Sequence, residues 1–247
     1  MEGPASVAEG VHRLGTGLVN WYVVEEAGRL SFVDSGVPGY YPQFEAALSA
    51  LGRTPGDVDA VVLTHPHPDH VGLADRIRRE AGARVLVPAG DAEMARTGKA
   101  DKKDRSMLPY FRHGIAWRLS WHLIRNGGAR IAKVEEFDTF ADGDTLDVPG
   151  RPRVVATPGH TDGHAALDVE SRGVLFTGDA LCSLNPLTGA TGPQLMPAAL
   201  QHSVERATAS LDRIAALDAG TLLFGHGDPW TDGAAAAAAR AREVGPT

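Results

Sequence analysis

The sequence predicts an α/β protein whose sheets and helices are stacked in layers. Strand and helix signals alternate through the first hundred residues, which is typical of a layered α/β domain. From residue 134 strands return and a long helix follows them, with polar residues where the strands end. A chain of 247 residues, 43% of them hydrophobic, can bury the core of one large domain or two small ones. Two similar halves that face each other are the architecture we expect.

The first half alternates apolar strand runs with segments of helical periodicity. Polar turns separate these segments, and Gly82 provides a helix stop. The predicted strands are 18–24, 30–33, 59–63 and 84–87, and the predicted helices are 42–51, 71–81 and 89–95.

In the second half, two strands at 134–140 and 145–148 are expected to pair as a hairpin across the turn 141–144. The later helices are an amphipathic segment and an alanine-rich terminal segment. The remaining strands are predicted at 153–156, 165–169, 173–176 and 221–224, and the helices at 197–217 and 233–244.

Residues 96–133 interrupt this alternation. They hold ten Lys and Arg against two acids, a net charge of +8, so the rest of the −7 chain carries −15. Tryptophan and other aromatic residues lie among these charges. We expect this segment to be an inserted, mostly helical lid.

Composition excludes several classes of protein. A net charge of −7 and a pI near 5.8 argue against a nucleic-acid-binding protein. The single cysteine, Cys182, excludes intrachain disulfides and Cys₄ zinc sites, and fits a reducing compartment. The first residues lack the features of a signal peptide, and no apolar run approaches the roughly 18 residues of a membrane span. We therefore expect a cytoplasmic protein without a transmembrane segment.

Three histidines and an aspartate directly follow the apolar run 61–63: His65, His67, Asp69 and His70. Imidazole and carboxylate are ligands of the same borderline metals. In extended backbone, residues two apart point to the same side, so His65 and His67 can reach one ion. This cluster predicts a metal site.

Further polar residues stand at the ends of later strands, namely His160, Asp179 and His226, with His164 nearby. A lone histidine at such a place is more often a hydrogen-bonded structural residue. Because the cluster at 65–70 already predicts a metal site, these later residues are better interpreted as further ligands of the same site. Asp34 also ends a strand; it either orients a ligand histidine or forms a turn.

These motifs resemble the metallo-β-lactamase-fold hydrolase superfamily, in its lactonase, thioesterase and glyoxalase II branch. The similarity lies in His65-x-His67-x-Asp69-His70, then in the motifs around His160, Asp179 and His226, in the family's order. It implies a single four-layer αββα sandwich over 1–247, with a dinuclear metal site at one edge of the sheets and the helical insert 96–133 within it.

The resemblance also implies roles for the site residues. Asp69 would double as a proton shuttle to the leaving group, and Asp34, His164 and Asp228 would orient ligand imidazoles. Turn formation is the alternative for His164 and Asp228. The implied ligands are His65, His67 and His160 for the first metal, Asp69, His70 and His226 for the second, and Asp179 as a bridge.

The implied reaction is hydrolysis by a metal-bridging hydroxide, with an acyl ester, lactone or thioester as the small-molecule substrate. A ligand set of His and Asp suits two zinc ions, although iron and manganese also fit. Two alternatives remain open. One is a phosphodiesterase or nuclease, which the acidic remainder of the chain disfavours; the other is an iron-dependent redox enzyme of the same fold.

The insert offers candidate substrate-binding residues. At 100° per residue, an apolar stripe and a basic stripe lie side by side on one helix. We expect this helix to meet a substrate with apolar and anionic parts, a second subunit in a homodimer, or a membrane surface. A solvated charged face over core aromatics is the alternative. The substrate-binding candidates are Phe111, Trp117, Arg118, Trp121 and Arg125.

Overall fold

The computed structural model describes residues 3–100, 103 and 105–247, and its larger sheet has seven strands. The first four strands form antiparallel pairs, and the last four run parallel to one another. In spatial order, which is also chain order, they are β1 (Ala5–Ala8), β2 (Val11–Gly15), β3 (Asn20–Glu26), β4 (Arg29–Val33), β5 (Val58–Val62), β6 (Arg84–Pro88) and β7 (Asp138–Phe140).

The second sheet has four strands in the order β13-β10-β9-β8. Its central strand β10 runs antiparallel to β9 and parallel to β13. A separate two-stranded ribbon, β11-β12, follows β10 in the chain. The strands are β8 (Arg153–Ala156), β9 (Ala165–Val169), β10 (Val174–Gly178), β11 (Cys182–Leu184), β12 (Thr191–Gln194) and β13 (Thr221–Phe224).

Helix ends follow local signals. One helix stops at Gly82, whose left-handed φ of 70° suits a residue without a side chain. Another begins after Ser203, whose hydroxyl accepts the backbone N–H of Arg206. The α-helices are α1 (Tyr41–Ala50), α2 (Ala74–Ala81), α3 (Ala92–Thr97), α4 (Gly114–Arg125), α5 (Val204–Ala215) and α6 (Ala234–Val244).

Three apolar clusters separate four layers. Successive side chains of a strand point to opposite faces, so Phe32 packs toward α1–α4 whereas Val33 packs between the two sheets. In the second sheet, Leu167 points between the sheets and Leu175 points toward α5 and α6. The order helix, sheet, sheet, helix confirms the predicted αββα sandwich.

One predicted pairing is wrong. Residues 134–140 and 145–148 do not form a hairpin, because β7 adds to the first sheet in parallel with β6. Thr145 instead makes a single antiparallel bridge to Arg153. The segment 197–217 is also not one helix; it holds a short 3₁₀ turn at Ala198–Leu200 and then α5.

Beyond α3, the described part of the insert 96–133 holds a 3₁₀ helix at Leu108–Arg112 followed by α4, and its other residues form turns and irregular segments. Ala116 and Leu119 of α4 are buried in the cluster above the first sheet. Residues 101, 102 and 104 of the insert lie outside the described part. Among the described residues, no helix has the length and apolar character needed to cross a membrane.

Candidate metal centre

The candidate metal residues all come from loops at the carboxyl ends of strands. His65, His67, Asp69 and His70 lie in the loop that follows β5. His160 lies between β8 and β9, Asp179 directly follows β10, and His226 lies two residues after β13. The parallel pairs β4–β5 and β10–β13 end at the same edge of their sheets, so the fold brings these loops together.

The side chains converge on Asp179. Its Oδ2 lies 3.4 Å from His160 Nε2 and 3.3 Å from His226 Nε2, and its Oδ1 lies 3.5 Å from His70 Nε2. Asp69 Oδ2 lies 3.5 Å from His226 Nε2. Three groups of possible ligand atoms, each within 4.8 Å of one another, are His65/His67/His160, His65/His70/Asp179 and Asp69/His70/His226.

Buried nitrogen and oxygen atoms without a partner test whether metal fits here. Within the described chain, Nε2 of His65 and of His70 and Oδ1 of Asp179 are buried and accept or donate no hydrogen bond. Leaving such atoms unpaired costs about 1–3 kcal/mol each, so a native site needs something to satisfy them. His67 Nδ1 and His160 Nε2 also face each other at 2.8 Å. Convergent lone pairs of this kind fit divalent metal ions.

Hydrogen bonds on the far side of the rings leave Nε2 free to bind metal. Thr64 Oγ1 lies 2.9 Å from Asp34 Oδ2 and donates its only proton to that carboxylate, so it accepts from His65 Nδ1 at 3.1 Å. His70 Nδ1 donates to Asp34 Oδ2 at 2.8 Å, and His226 Nδ1 donates to the carbonyl of Leu18. Each partner fixes the tautomer that a metal ligand requires.

The electrostatics of the site divide the histidines into two sets. Burial lowers the pKa of His65, His67 and His160 well below its ordinary value, which keeps these rings neutral. Burial would also lower the pKa of His70 and His226, but the neighbouring carboxylates, Asp179 first and Asp69 with it, together outweigh burial and raise the pKa of both.

Burial opposes the charged form of Asp179, yet the neighbouring His226 and His70 hold the pKa of this carboxyl well below its ordinary value. Asp179 is therefore an anion at neutral pH. An anionic carboxylate between two groups of imidazoles favours the binding of cations at this site.

Asp34 lies against the metal loop in a conformation that few residues tolerate. Its φ is 58°, in the left-handed region, and its backbone N–H donates to the carbonyl of Val62. This turn aims the carboxylate at the Thr64 N–H, 2.8 Å away, as well as at His70. Asp34 thus contacts one candidate ligand directly and His65 through the Thr64 hydroxyl.

His164 hydrogen-bonds to the backbone of Asp179 rather than to a ligand imidazole. Its Nε2 accepts the Asp179 N–H at 3.0 Å, so its Nδ1 donates to Thr157 Oγ1 at 2.8 Å. Burial lowers the pKa of His164 to about 4, so the ring stays neutral and Nε2 remains an acceptor. Asp228 lies apart from the ligands; its exposed carboxylate pairs with Arg13 at 2.8 Å.

Gly225 leaves room for the ligands. A Cβ at this position would lie 2.3 Å from Asp179 Oδ1 and 2.7 Å from His70 Cε1. Both distances are too short for any side chain, so the glycine before His226 allows the strand end to approach the site.

A cavity of about 190 Å³ opens onto the site. His67, Asp69, His160, Asp179 and His226 line its floor. Its walls are mostly apolar and include Leu119, Leu123, Met196 and Leu200, with Lys103 among the lining residues.

The structure places the five candidate substrate-binding residues outside this cavity. The rings of Phe111 and Trp117 contact each other at an angle of 52° with centroids 4.8 Å apart, and Trp121 and Arg125 are exposed. Arg118 lines a neighbouring groove of about 410 Å³, together with Leu18 and Gly227.

The cavity wall comes instead from the opposite flank of α4, through Leu119 and Leu123. The sequence would have identified Leu119 and Leu123 as cavity residues only if the side of α4 that faces the metal site had been known. Sequence reasoning also missed the Leu18 carbonyl and the Thr64 hydroxyl. Neither leaves a sequence signal, because almost any residue supplies a carbonyl and threonine is common.

Comparison with known proteins places this geometry in a family. Residues 14–226 match the family model described as the metallo-beta-lactamase superfamily. A probable metallo-hydrolase YflN from Bacillus subtilis (strain 168) is 27% identical over 91% of this chain and 86% of its own length. A hydroxyacylglutathione hydrolase from Acidiphilium cryptum is 28% identical over 83% of this chain.

The alignment spans only 63% of that hydroxyacylglutathione hydrolase, and 61% of an uncharacterized protein YobT from Bacillus subtilis (strain 168), so the chain matches less than two thirds of these relatives. A solved metallo-beta-lactamase family protein from Thermus thermophilus superimposes with a TM-score of 0.66 at 30% identity, covering 97% of this chain and 79% of that one. The match over residues 14–226 establishes that this chain belongs to the metallo-beta-lactamase superfamily.

Proposed function

We propose that the chain is a dinuclear zinc hydrolase of acyl substrates, with acyl thioesters first and esters or lactones next. The observation that carries the proposal is the apolar cavity directly above two adjoining sets of His and Asp ligands. The hydroxyacylglutathione hydrolase relative supports a thioester. A ligand set of nitrogen and oxygen donors without cysteine supports zinc, since zinc binds both and needs no fixed coordination geometry.

His65, His67 and His160 would hold one ion, Asp69, His70 and His226 the other, with Asp179 between them. Bound there, two divalent ions activate water and polarise the acyl carbonyl oxygen. Asp34, Thr64 and the Leu18 carbonyl keep the ligand rings oriented through their Nδ1 protons.

The remaining tasks belong to side chains at the cavity. Leu119, Leu123, Met196 and Leu200 bind the acyl chain and exclude water around the carbonyl. Asp69 lines the same cavity, and one of its oxygens lies near His226. Asp69 would accept the proton of the attacking water and donate it to the departing thiolate or alkoxide.

The test begins with the metal content of the purified protein, measured by mass spectrometry. Kinetics on acyl thioesters of increasing chain length, lactones, aryl esters and bis-aryl phosphates then identify the bond cleaved. We expect two zinc ions per chain and a kcat/KM that rises with acyl chain length. Turnover of bis-aryl phosphates alone, or iron with no hydrolysis of acyl substrates, would overturn the proposal.

A cavity variant sharpens this test. Leu123→Ser places a hydroxyl in the apolar wall, so it should lower kcat/KM for a long acyl chain by about tenfold and for an acetyl group much less. Val244→Ser makes a similar aliphatic-to-serine change at an exposed position on α6 and should affect neither substrate.

A further inference from the structure

Exposed large apolar side chains are concentrated in the insert. In the described chain these are Leu108 at 77% exposure, Trp117 at 61%, Trp121 at 63% and Ile124 at 61%; elsewhere only Val244, at 42%, is as large and exposed. Trp117, Trp121 and Ile124 are spaced i, i+4 and i+7, so they lie on one face of α4. We call these three residues, with Arg118 and Arg125, the α4 outer face.

The positive charges of this face are uncompensated. Arg118 and Arg125 lie next to the tryptophans, about 100° round the helix, and both are exposed. No described carboxylate lies within ion-pair distance of either guanidinium. Most other arginines of the molecule are paired; for example, Arg76 pairs with Glu80 and Arg213 with Asp142.

Two possible partners fit this face poorly. The first is the acyl substrate. The side of α4 that lines the cavity carries Leu119 and Leu123 and lies opposite the α4 outer face, so that face points away from the cavity. A second copy is the other. A two-fold contact through α4 would bring Arg118 and Arg125 of both copies together at a segment whose net charge is already +8.

An anionic lipid surface fits both features of the face. Tryptophan prefers the boundary between lipid headgroups and acyl chains, where its ring is buried and its N–H remains hydrated. Arginine beside it attracts anionic headgroups. The rest of the chain carries a net charge of −15 and is repelled by an anionic surface, whereas the insert is attracted to it. The molecule would therefore approach the surface with the insert first.

We propose that the α4 outer face binds the interfacial region of an anionic lipid bilayer and holds the protein peripherally on it. The contact is reversible, because a single short helix face buries little area and depends on charge. The proposal concerns a surface separate from the metal ligands and does not depend on the identity of the acyl substrate.

The experiment is sedimentation of the intact protein with vesicles of phosphatidylcholine containing phosphatidylglycerol, compared with phosphatidylcholine alone. We expect binding to the anionic vesicles that weakens with added salt. Trp117→Ser/Trp121→Ser and Arg118→Gln/Arg125→Gln should each weaken binding by about tenfold or more. Val244→Ser, which removes an exposed apolar side chain from α6, should bind like the wild type.

Tryptophan fluorescence gives an independent reading. Emission should shift to the blue on binding, and the shift should be much reduced in the double tryptophan variant, because Trp21 is fully buried and Trp230 is half-buried. Circular dichroism and thermal unfolding of each variant show that it is folded.

Absence of wild-type binding to anionic vesicles at low salt would overturn the proposal, as would unchanged binding by the tryptophan variant. A lipid-free dimer that the same variant dissociates would assign the face to a second copy instead. Vesicle binding is measured without turnover, so its failure leaves the proposed hydrolase activity to its own test.

Discussion

At the scale of single residues, Asp34 connects the strain of the backbone to the orientation of the ligands. A non-glycine residue in the left-handed region costs on the order of 1–3 kcal/mol, and it persists where surrounding contacts hold it. Here the carboxylate accepts from the Thr64 backbone and hydroxyl and from His70 Nδ1, all from a buried position. These charge-assisted bonds offset the strain and fix the direction of the ligand Nε2.

Asp34→Asn tests this connection. The amide keeps one acceptor oxygen. Its NH₂ takes either the Oδ2 position, which faces the His70 Nδ1–H and the Thr64 hydroxyl, or the Oδ1 position, which faces the Thr64 backbone N–H, so at least one donor loses its acceptor. We expect metal affinity or kcat to fall by about 10–100-fold. Asp59→Asn is the matched control on β5, because Asp59 pairs with Arg29 away from the site. Wild-type metal content and kcat in the Asp34 variant would contradict this role.

Gly225→Ala is expected to abolish metal binding by at least one ion. Its methyl group would occupy the space of Asp179 Oδ1, 2.3 Å away, and displace the carboxylate from the centre of the site. The metal-to-protein ratio measured after dialysis reports the loss. Gly56→Ala serves as the control, since the nearest atom to its Cβ lies at 3.7 Å. Full metal occupancy in Gly225→Ala would show that the site adapts.

Residue chemistry made the centre of the site predictable and left its surroundings unpredictable. His65, His67 and His70 are too closely spaced for chance, and the later motifs around His160 and Asp179 gain meaning from them. Whether His164 faces a ligand or the Asp179 backbone depends on a difference of a few ångströms. Such distances arise from packing, which a linear pattern does not record.

At the scale of elements, α4 is attached to the sandwich by apolar contacts and by one polar pair. Tyr40 OH lies 2.7 Å from His122 Nε2 and 3.1 Å from Thr16 Oγ1. Burial raises the pKa of Tyr40 to about 12, so its hydroxyl keeps its proton and can donate to the imidazole. Burial also lowers the pKa of His122 from 6.5, so the imidazole remains an acceptor.

This pair predicts a pH dependence for His122→Phe. Near pH 8 the variant should lose about 1 kcal/mol of unfolding free energy with the hydrogen bond. Below about pH 6.5 the unfolded wild type binds a proton at His122, whereas the folded protein binds it only at lower pH. Wild-type stability therefore falls as pH falls through this window, and the difference from the variant should shrink.

Urea unfolding at several pH values measures this difference. Arg125→Gln is the control on the exposed side of α4, and it should retain the pH dependence of the wild type. A stability difference that stays constant from neutral to acidic pH would rule out a contribution from the titration of His122.

Elements were predictable where periodicity was strong and long enough. The buried strands β4 and β5 and the helices α1 and α6 follow apolar patterns directly. The short strand β7 does not, since three residues cannot specify whether they pair with β6 or with the following segment. Its partner is decided by the connection through the insert, which local sequence does not encode.

At the scale of the whole molecule, the metal ligands join the two halves of the sandwich. His65, His67, Asp69 and His70 are carried by the loop after β5 in the first sheet. His160, Asp179 and His226 follow strands of the second sheet. An ion that binds ligands from both sets stabilises the native state, because the unfolded chain cannot bring them together.

Metal removal should therefore lower the stability of the whole protein. We expect the chelated protein to unfold at a lower temperature, and added zinc at about 100 times its Kd to restore about 2.7 kcal/mol. His160→Ala removes a ligand supplied by the second sheet and should reduce this gain, whereas His12→Ala, at an imidazole on β2, should leave it intact. Scanning calorimetry with and without metal measures the effect. Equal midpoints for the metal-free and metal-loaded wild type would show that metal binding does not help to hold the two halves together.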